Sequence, residues 1–499
     1  MGITGFSKWL MKNYPESFTE ISKHDISNIY DYVYIDINYL LHFTLHSSPV
    51  LKKLLANIKF NLSFISQLYQ PTVGYIFCID GIAPIAKLVS QKNRRYTCSA
   101  KSGNAKDTKT IHALVNVSPI DFTPGTFVMN EVMKLLYDFQ KEYPKTFGFI
   151  KPKVKIIGPD IPGEGEIKIF NEINLNEKKK EGAKHLVVSS DSDSFVQAII
   201  CKSLNIFVGV KKKEGNFIFS SNTFIKSFLE KINKKKYSKL FFKNNDLKSE
   251  LTFVFLLLGN DYWKKINVSL ERIFACYFAY ATQRSTEYHE SCIPSTIVTT
   301  VNGKSIINIF QMKKLFLLLK EKITKTSKAI KILSIEDRKK KVVCYLNGLL
   351  WCLDMYLHGQ CANFDYCYEY DSAPSVQEIL WYLDTSNNFE IYYSPEKAKF
   401  FNKPMLHEII LLPPNMRNVL MSKEKEEQLL LKFPDFYGTE LCDTCASIKK
   451  IIFDSKTSKA KITSEKKKLK KHISECHDYE FTADELRKVI EFISNDSAE

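Results

Sequence analysis

The chain has 499 residues, of which 44% are hydrophobic, and this composition is typical of a globular protein rather than a disordered one. Its formal charge of +16 favours a polyanionic partner, because lysine and arginine gain affinity by neutralising phosphates. The sequence lacks an apolar run of about eighteen residues and the apolar core of a secretory signal, so we expect neither a membrane span nor secretion.

Strand-like apolar runs alternate with helical patterns over the first 225 residues. We predict strands at Tyr32–Ile37, Gly74–Ile79, Val154–Ile157, His185–Ser189 and Ile206–Val210, with amphipathic helices at Pro49–Leu68 and Gly125–Tyr143. Strands separated by segments of helix length favour a parallel sheet covered on both faces. The predicted fold class is therefore α/β, with a mostly parallel central sheet flanked by helices.

Changes in composition divide the chain into four parts. Residues 1–225 form the predicted α/β core, 226–340 continue it with helices, 341–445 are rich in aromatic side chains, and 446–499 form a basic tail. Near its end the tail contains a short amphipathic helix, which we predict around Glu485–Ile493.

Twelve scattered cysteines indicate reduced thiols and a cytosolic or nuclear protein. A zinc site is left open by one group of potential ligands: Cys442, Cys445, His472, Cys476 and His477. The run Lys466–Lys471 is compatible with nuclear import, but lysine runs recur throughout the chain. We therefore expect a cytoplasmic location.

Acidic residues stand where the predicted strands end. They are Asp36, Asp80, Glu164, Glu166, Asp191 and Asp193, and Asp261 follows an apolar helix at Leu251–Leu258. Sites in open parallel sheets form outside the carboxyl ends of the strands, and acids gathered there repel each other unless cations lie among them. Seven carboxylates suit two Mg²⁺ or Mn²⁺ ions, and such a pair serves phosphodiester hydrolysis. The alternative for each acid alone is a turn residue or a helix N-cap.

A basic segment follows Asp80. Only seven of the 71 basic residues are arginines, yet two of the seven are adjacent, Arg94 and Arg95. Paired arginines among lysines indicate bidentate recognition of phosphate. Helical spacing places most of the group Lys87, Gln91, Arg94 and Arg95 on one face, although a solvated basic helix is the alternative.

These motifs resemble the 5′-to-3′ exoribonucleases, which are relatives of the flap endonucleases. The resemblance extends over roughly residues 1–445 and rests on these motifs: the start MGITGFSKWL, Asp36-x-Asn38-x-x-x-His42, the segment from Asp80 through Lys87 and Gln91 to Arg94-Arg95, Thr123-Pro-Gly-Thr126, Pro162-Gly-Glu164-Gly-Glu166, Asp191-x-Asp193, Gly259-Asn260-Asp261 and the block from Tyr345 to Trp351.

The resemblance implies a role for each candidate residue. The seven carboxylates bind or orient two metal ions, while Lys87, Gln91, Arg94 and Arg95 hold a 5′ phosphate. Asn38 and His42 contact the substrate, with His42 stacked on the first base. Independently of the resemblance, we expect Lys101, which lies in a lysine-rich segment, to face the RNA backbone. The family places a tryptophan-rich stretch opposite the histidine. Here that stretch contains no tryptophan, so Tyr366 or Phe364 is the candidate stacking partner of His42. Both lie in the region 341–445, which we expect to pack on the active site.

The implied protein is a Mg²⁺-dependent 5′-to-3′ exoribonuclease in RNA degradation and mRNA decay. We expect a monomer that degrades single-stranded RNA with a 5′ monophosphate (decapped RNA) to nucleoside 5′-monophosphates. A structure-specific flap endonuclease acting on DNA is one alternative, although the motifs containing Asn38, His42 and Gln91 argue against it. The other is a non-catalytic RNA-binding scaffold, which predicts at least one lost carboxylate.

Overall fold

The computed structural model describes residues 2–21, 30–99, 116–146, 152–189, 191–211, 215–232, 244–286, 296–321, 333–386, 390–392, 404–412, 423–433, 447–448, 451, 461, 464–465, 467–468 and 481–495. Within these ranges no helix is both long enough and apolar enough to cross a membrane. The potential zinc ligands Cys442, Cys445, His472, Cys476 and His477 lie outside the described residues.

Seven strands form the main sheet. They are β1 (Phe18–Ile21), β2 (Tyr30–Asp36), β3 (Pro71–Cys78), β4 (Lys153–Ile157), β5 (His185–Val188), β6 (Ile206–Lys211) and β7 (Asn216–Ser220). Their order is β1-β7-β6-β5-β2-β3-β4, and β2 to β6 pair in parallel, whereas β7 runs antiparallel to both β6 and β1. A smaller antiparallel sheet, in the order β10-β9-β8, contains β8 (Val298–Val301), β9 (Lys304–Asn308) and β10 (Glu390–Tyr392).

The helices surround the main sheet and continue beyond it. They are α1 (Phe6–Asn13), α2 (Ile37–Leu45), α3 (Leu51–Leu68), α4 (Ile85–Ser99), α5 (Phe127–Thr146), α6 (Gly165–Lys179), α7 (Ser192–Ile200), α8 (Ser221–Ile232), α9 (Asn244–Leu256), α10 (Leu270–Thr286), α11 (Ile309–Glu321), α12 (Ile335–His358), α13 (Val376–Thr385), α14 (Pro404–Leu411), α15 (Lys423–Lys432) and α16 (Ala483–Asn495).

The α/β fold with a mostly parallel sheet is confirmed, because all five predicted strands form β2 to β6. Val33, Tyr34 and Ile35 of β2 are fully buried, as expected for a central strand that is covered on both faces. The helix α3 follows the predicted amphipathic pattern, with Leu54, Ile58 and other apolar residues at helical spacing on its buried face.

Five of the described strands were not predicted, and all five pair only in antiparallel fashion. β1 and β7 close one side of the main sheet, and their short, mixed burial patterns give no clear apolar alternation. The small sheet lies partly in a region predicted to be helical. Its hairpin turns at Asn302 (φ 51°) and Gly303 (φ 76°), a pair that favours the tight turns of two-stranded hairpins.

Buried apolar side chains form three clusters. The largest extends from Ile3 to Ile391, so the segments around α9 to α13 share one continuous core with one face of the main sheet. A second cluster packs α2, α3 and α5 on the opposite face. The third is small and joins the start of α4 to α14 and α16, through residues such as Leu88, Ile410 and Leu486. The C-terminal helix α16 thus supports the helix that carries the predicted phosphate ligands.

Replacing Leu486 by alanine should destabilise the protein by about 2–5 kcal/mol, because this side chain is fully buried in the third cluster and its loss leaves a cavity. Chemical denaturation would measure the change. Leu431→Ala is the matched control, since Leu431 on α15 is 82% exposed and its removal should have little effect. Equal stability losses in the two variants would contradict the packing of α16 against α4.

Candidate active site

One large cavity, with a volume of about 890 Å³, opens at the carboxyl ends of the parallel strands. Its wall contains acids, basic or polar residues of α2 and α4, the N-terminal segment, and the turn before α5. The predicted site residues in this wall are Asp36, Asn38, His42, Asp80, Lys87, Gln91, Glu164, Glu166, Asp191 and Asp261. The seventh acid, Asp193, is buried and lies next to Asp191 at the start of α7.

The sheet topology explains why the acids meet. Asp36 ends β2, Asp80 follows β3, and Asp191 follows β5, while Glu164 precedes α6 after β4. These four strands are neighbours in the order β5-β2-β3-β4, so their carboxyl ends bring the acids to one edge. Asp36 and Asp191 also cap α2 and α7, which means that the N-cap interpretation holds for these two residues as well.

Neutral donors fix the orientation of the central carboxylates. Asn38 donates from Nδ2 to Asp80 Oδ2 at 2.8 Å, and Gly165 donates its backbone N–H to Asp80 Oδ1 at 2.7 Å. The Ser189 hydroxyl donates to Asp36 Oδ2 at 3.1 Å. Asn38, which was predicted to contact the substrate, therefore holds Asp80 in place.

Lys87 lies among the acids. Its Nζ is 2.7 Å from Glu164 Oε1 and also forms an ion pair with Asp261, and the side chain is almost fully buried. The Tyr262 hydroxyl donates to Glu164, and the Lys87 ammonium is 5.3 Å from the centre of the Tyr262 ring. The ammonium thus neutralises two carboxylates at the boundary between the acidic cluster and the basic helix α4.

Burial and mutual repulsion make four of the carboxylates hard to ionise. Burial, together with the charge of Asp80, raises the pKa of Asp36 to about 7, and burial together with Asp191 raises the pKa of Asp193 to about 8. Burial also raises the pKa of Glu164, against the effect of Lys87, and raises that of Glu166 still further. The cluster therefore has a deficit of positive charge.

The donor set suits divalent cations, because carboxylate oxygens are the ligands that Mg²⁺ and Mn²⁺ prefer. One oxygen, Asp193 Oδ1, is buried and accepts no hydrogen bond from the described residues. In the described part of the chain, however, no group of three or more His, Cys, Asp or Glu side chains is arranged to hold a metal ion. Instead, Glu164 and Asp261 pair with Lys87, and Asp80 accepts a hydrogen bond from Asn38.

The predicted phosphate ligands lie on α4. Lys87 and Gln91 line the cavity one helical turn apart. Arg94 and Arg95 continue the same helix, but their side chains are outside the described residues, as is the whole of Lys101. Their contacts with a 5′ phosphate or an RNA backbone stay predictions.

The two aromatic residues predicted to enclose the first base occupy different environments. His42 lines the cavity and packs edge-on against Phe122, with 5.2 Å between ring centres. Tyr366 stacks on Trp351 at 5.3 Å, and its hydroxyl donates to the Cys344 carbonyl at 2.8 Å. It is not part of the cavity wall that contains His42, so the structure does not bring this pair together.

The sequence analysis did not single out His407 and Tyr262, which both belong to the site. His407, on α14, is buried and lines the cavity although it is more than 300 residues from His42 in sequence. Its helix is apolar, and a single histidine there gives no sequence signal. Tyr262 follows Asp261 directly, and its proximity to a predicted ligand was the available signal. Burial raises its pKa well above the ordinary range, so the phenol stays protonated as a donor to Glu164.

The first part of the chain is similar in sequence to a known family. Residues 1–209 match the family profile described as "XRN 5'-3' exonuclease N-terminus". The human protein named "5'-3' exoribonuclease 1" is 26% identical over 212 residues, which are 39% of this chain and 12% of that relative. The relative of the same name from Schizosaccharomyces pombe is 28% identical over 222 residues, which are 40% of this chain and 16% of its own length.

The resemblance to the 5′-to-3′ exoribonucleases is thereby confirmed for the N-terminal region. The matched regions represent less than a fifth of each of these two relatives. Among solved structures, the catalytic core of Rad2 in complex with DNA substrate (complex IV) matches with a TM-score of 0.36 and 13% identity, over 72% of this chain and 86% of that one.

In metal-free buffer, the stability of the protein should decrease as the pH rises. The ordinary pKa of an aspartate is 3.8, and in the folded protein the pKa is about 7 for Asp36 and about 8 for Asp193. At a pH between the ordinary and the raised value, each carboxyl is protonated in the folded protein and ionised in the unfolded chain. Folding therefore takes up protons in this window, and a higher pH opposes it. We expect Tm, measured by calorimetry, to decrease by several degrees between about pH 5 and about pH 8.

Asp193→Asn provides the control for this pH dependence. The neutral amide has nearly the same shape and does not titrate, so the decrease in Tm should be smaller in this variant. An equally steep decrease in both proteins would exclude Asp193 as a source of the effect.

Lys87→Met should destabilise the metal-free protein by about 3–5 kcal/mol at neutral pH, because Glu164 and Asp261 lose a buried counterion. Mg²⁺ should then raise Tm more in this variant than in the wild type. Lys92→Met is the matched control: Lys92 is buried on the same helix but donates to the Ile410 carbonyl at 2.8 Å. Equal Mg²⁺ effects on all three proteins would contradict the role of Lys87 as the counterion of the cluster.

Proposed function

We propose that the protein is a 5′-to-3′ exoribonuclease that degrades single-stranded RNA carrying a 5′ monophosphate and releases nucleoside 5′-monophosphates. One observation supports this proposal above the others: a single cavity contains six of the seven acids together with Lys87, Gln91 and His42. The acids that would hydrolyse the RNA and the residues that would bind its 5′ end therefore share one cavity, which is large enough for a nucleotide. The relatives of the N-terminal region carry the name of this activity.

The basic helix α4 would recognise the 5′ end. Lys87 and Gln91 line the cavity, and Arg94 and Arg95 lie one further turn along the helix. A terminal monophosphate fits a lysine and two arginines, which together supply charge and bidentate donors. A cap or a triphosphate is larger and more highly charged, so we propose that it is excluded and that the chemistry of the 5′ end selects the substrate.

The acidic cluster would cleave the first phosphodiester. Asp36, Asp80, Glu164, Glu166, Asp191, Asp193 and Asp261 would hold two divalent cations, with Mg²⁺ as the proposed ion and Mn²⁺ as the alternative. Such cations lower the pKa of an attacking water and stabilise charge on the attacking and leaving oxygens. Asn38 keeps Asp80 fixed through its amide, and the Tyr262 hydroxyl remains a donor to Glu164 when Lys87 moves towards a phosphate. His42 would support the first base by stacking.

We further propose that the protein acts as a monomer, in the cytoplasm, on decapped mRNA. Reduced cysteines and the positive charge of the chain support this proposal. The second aromatic that encloses the base would come from the region containing Tyr366 only after a rearrangement, because Tyr366 now lies between Trp351 and Trp263.

The test uses one RNA sequence prepared with a 5′ monophosphate, a 5′ hydroxyl or a 5′ triphosphate, together with a matching DNA. Each is incubated with the protein and Mg²⁺, and the products are resolved over time. We expect rapid loss of the monophosphorylated RNA alone, with mononucleotides as the product. Asp191→Asn should abolish this activity, since it keeps the N-cap of α7 but removes a charge from the cluster.

Asp138→Asn is the matched control, because it makes the same change on the exposed face of α5 and should leave the rate unchanged. Internal cuts that are independent of the 5′ end would overturn the proposal in favour of an endonuclease. RNA binding without cleavage would indicate a scaffold.

A further inference from the structure

The N-terminal segment reaches into the acidic cluster. Gly2 donates its backbone N–H to Asp191 Oδ1 at 3.2 Å, across a separation of 189 residues in sequence. Gly2 also lines the cavity beside Asp191 and Ser192. The contact joins the first turn of α7, where two of the seven acids are located, to a segment that contributes no carboxylate of its own.

Position 2 has no space for a side chain. A Cβ atom on Gly2 would lie 2.2 Å from Asp193 Oδ1, 2.6 Å from Asp193 Cγ and 2.4 Å from Ser192 Oγ. Contacts of this length do not occur between non-bonded atoms. Asp193 is only 3% exposed, so its carboxylate cannot turn into solvent to avoid the added group. Even a methyl group at position 2 therefore requires a movement of Asp193, of the first turn of α7, or of the N-terminal segment.

The N-terminal segment is itself held firmly. Ile3 is buried, and the Phe6 N–H donates to the Ile3 carbonyl at 3.1 Å. Phe6, at the start of α1, is fully buried and packs edge-on against Phe255 at 4.7 Å. Trp9 packs in the same way against Phe274 at 4.5 Å. These contacts limit how far Gly2 can retreat, so much of the displacement would fall on Asp193 and Ser192.

We propose that Gly2 is a positioning residue of the nuclease site: its amide orients Asp191, and its missing side chain leaves the space in which Asp193 lies. The expected effect of Gly2 on catalysis rests on the proposed function. The expected effect of Gly2 on the positions of Asp191 and Asp193 does not depend on it.

The first experiment compares Gly2→Ala with the wild type on 5′-monophosphorylated RNA. We expect kcat to decrease about 100-fold, as is typical when reacting groups are displaced by about 1 Å, while KM is unchanged because α4 is unaffected. Binding of Mn²⁺, measured by calorimetric titration without RNA, should also weaken. Gly182→Ala is the control: Gly182 has a φ of 73° with open space around it, so this change strains the backbone away from the cavity.

A double-mutant cycle tests whether Gly2 acts through Asp193. In an Asp193→Asn background, Gly2→Ala should weaken Mn²⁺ binding less than it does in the wild type, because both changes affect the same ligand. Unchanged kcat and Mn²⁺ affinity in Gly2→Ala would overturn the inference. A large loss of Tm in Gly2→Ala would also overturn it, since the residue would then support the fold rather than the site.

The two proposals fail separately. If the wild-type protein binds Mn²⁺ but does not degrade RNA, the proposed exoribonuclease activity is refuted. The Mn²⁺ affinities of Gly2→Ala and Gly182→Ala would still decide the role of Gly2. A wild-type protein that degrades RNA, with Gly2→Ala equally active, would refute only the positioning role.

Discussion

Repulsion among buried carboxylates is the constraint on which the site depends. Neighbouring parallel strands direct Asp36, Asp80 and Asp191 to one edge, where the burial of Asp36 and of the adjacent Asp193 removes the solvation that would stabilise their charges. Lys87 compensates part of this charge through Glu164 and Asp261, while burial, together with the neighbouring carboxylates, raises the pKa values of Asp36 and Asp193. Such an arrangement costs folding free energy and is expected where a cation or a substrate supplies the missing charge.

The rest of the fold counteracts this repulsion by fixing the acids from several directions. Asn38 on α2 and the start of α6 hold Asp80, while Ser189 holds Asp36. The loop before Asp261 is anchored by α12, because Asn260 donates from Nδ2 to the Tyr356 hydroxyl at 2.9 Å. These donors are neutral and come from elements distributed over most of the described chain. The cluster is therefore a product of the whole α/β core together with the helices that follow it.

The position of Lys87 links the two halves of the proposed chemistry. An ammonium that pairs with Glu164 and Asp261 is also the first basic residue on the face of α4 that leads to Gln91. A phosphate that attracts Lys87 would weaken its pairs with the acids and increase their demand for another cation. α4 itself is supported by α14 and α16, so residues near the C-terminus stabilise the helix that carries this lysine.

The sequence by itself determined the parallel core and the set of acids, because both follow from short-range patterns. Continuous apolar runs such as that of β2 specify buried strands, and an acid directly after such a run, as at Asp80, must lie at the sheet edge. The edge strand β1 is too short and mixed to give such a pattern. Short-range patterns also fail to identify two residues of the site. His407 and Gly2 reach the cavity only through the packing of α14 and α1.

Only the tertiary structure decided which partner each side chain takes. Asn38 turns to Asp80, Lys87 lies among the acids, and Tyr366 stacks between two tryptophans away from His42. Periodicity determines which face of a strand or helix a residue occupies. The direction and partner of a side chain depend on elements that are distant in sequence, and their distances are set by packing of the complete core.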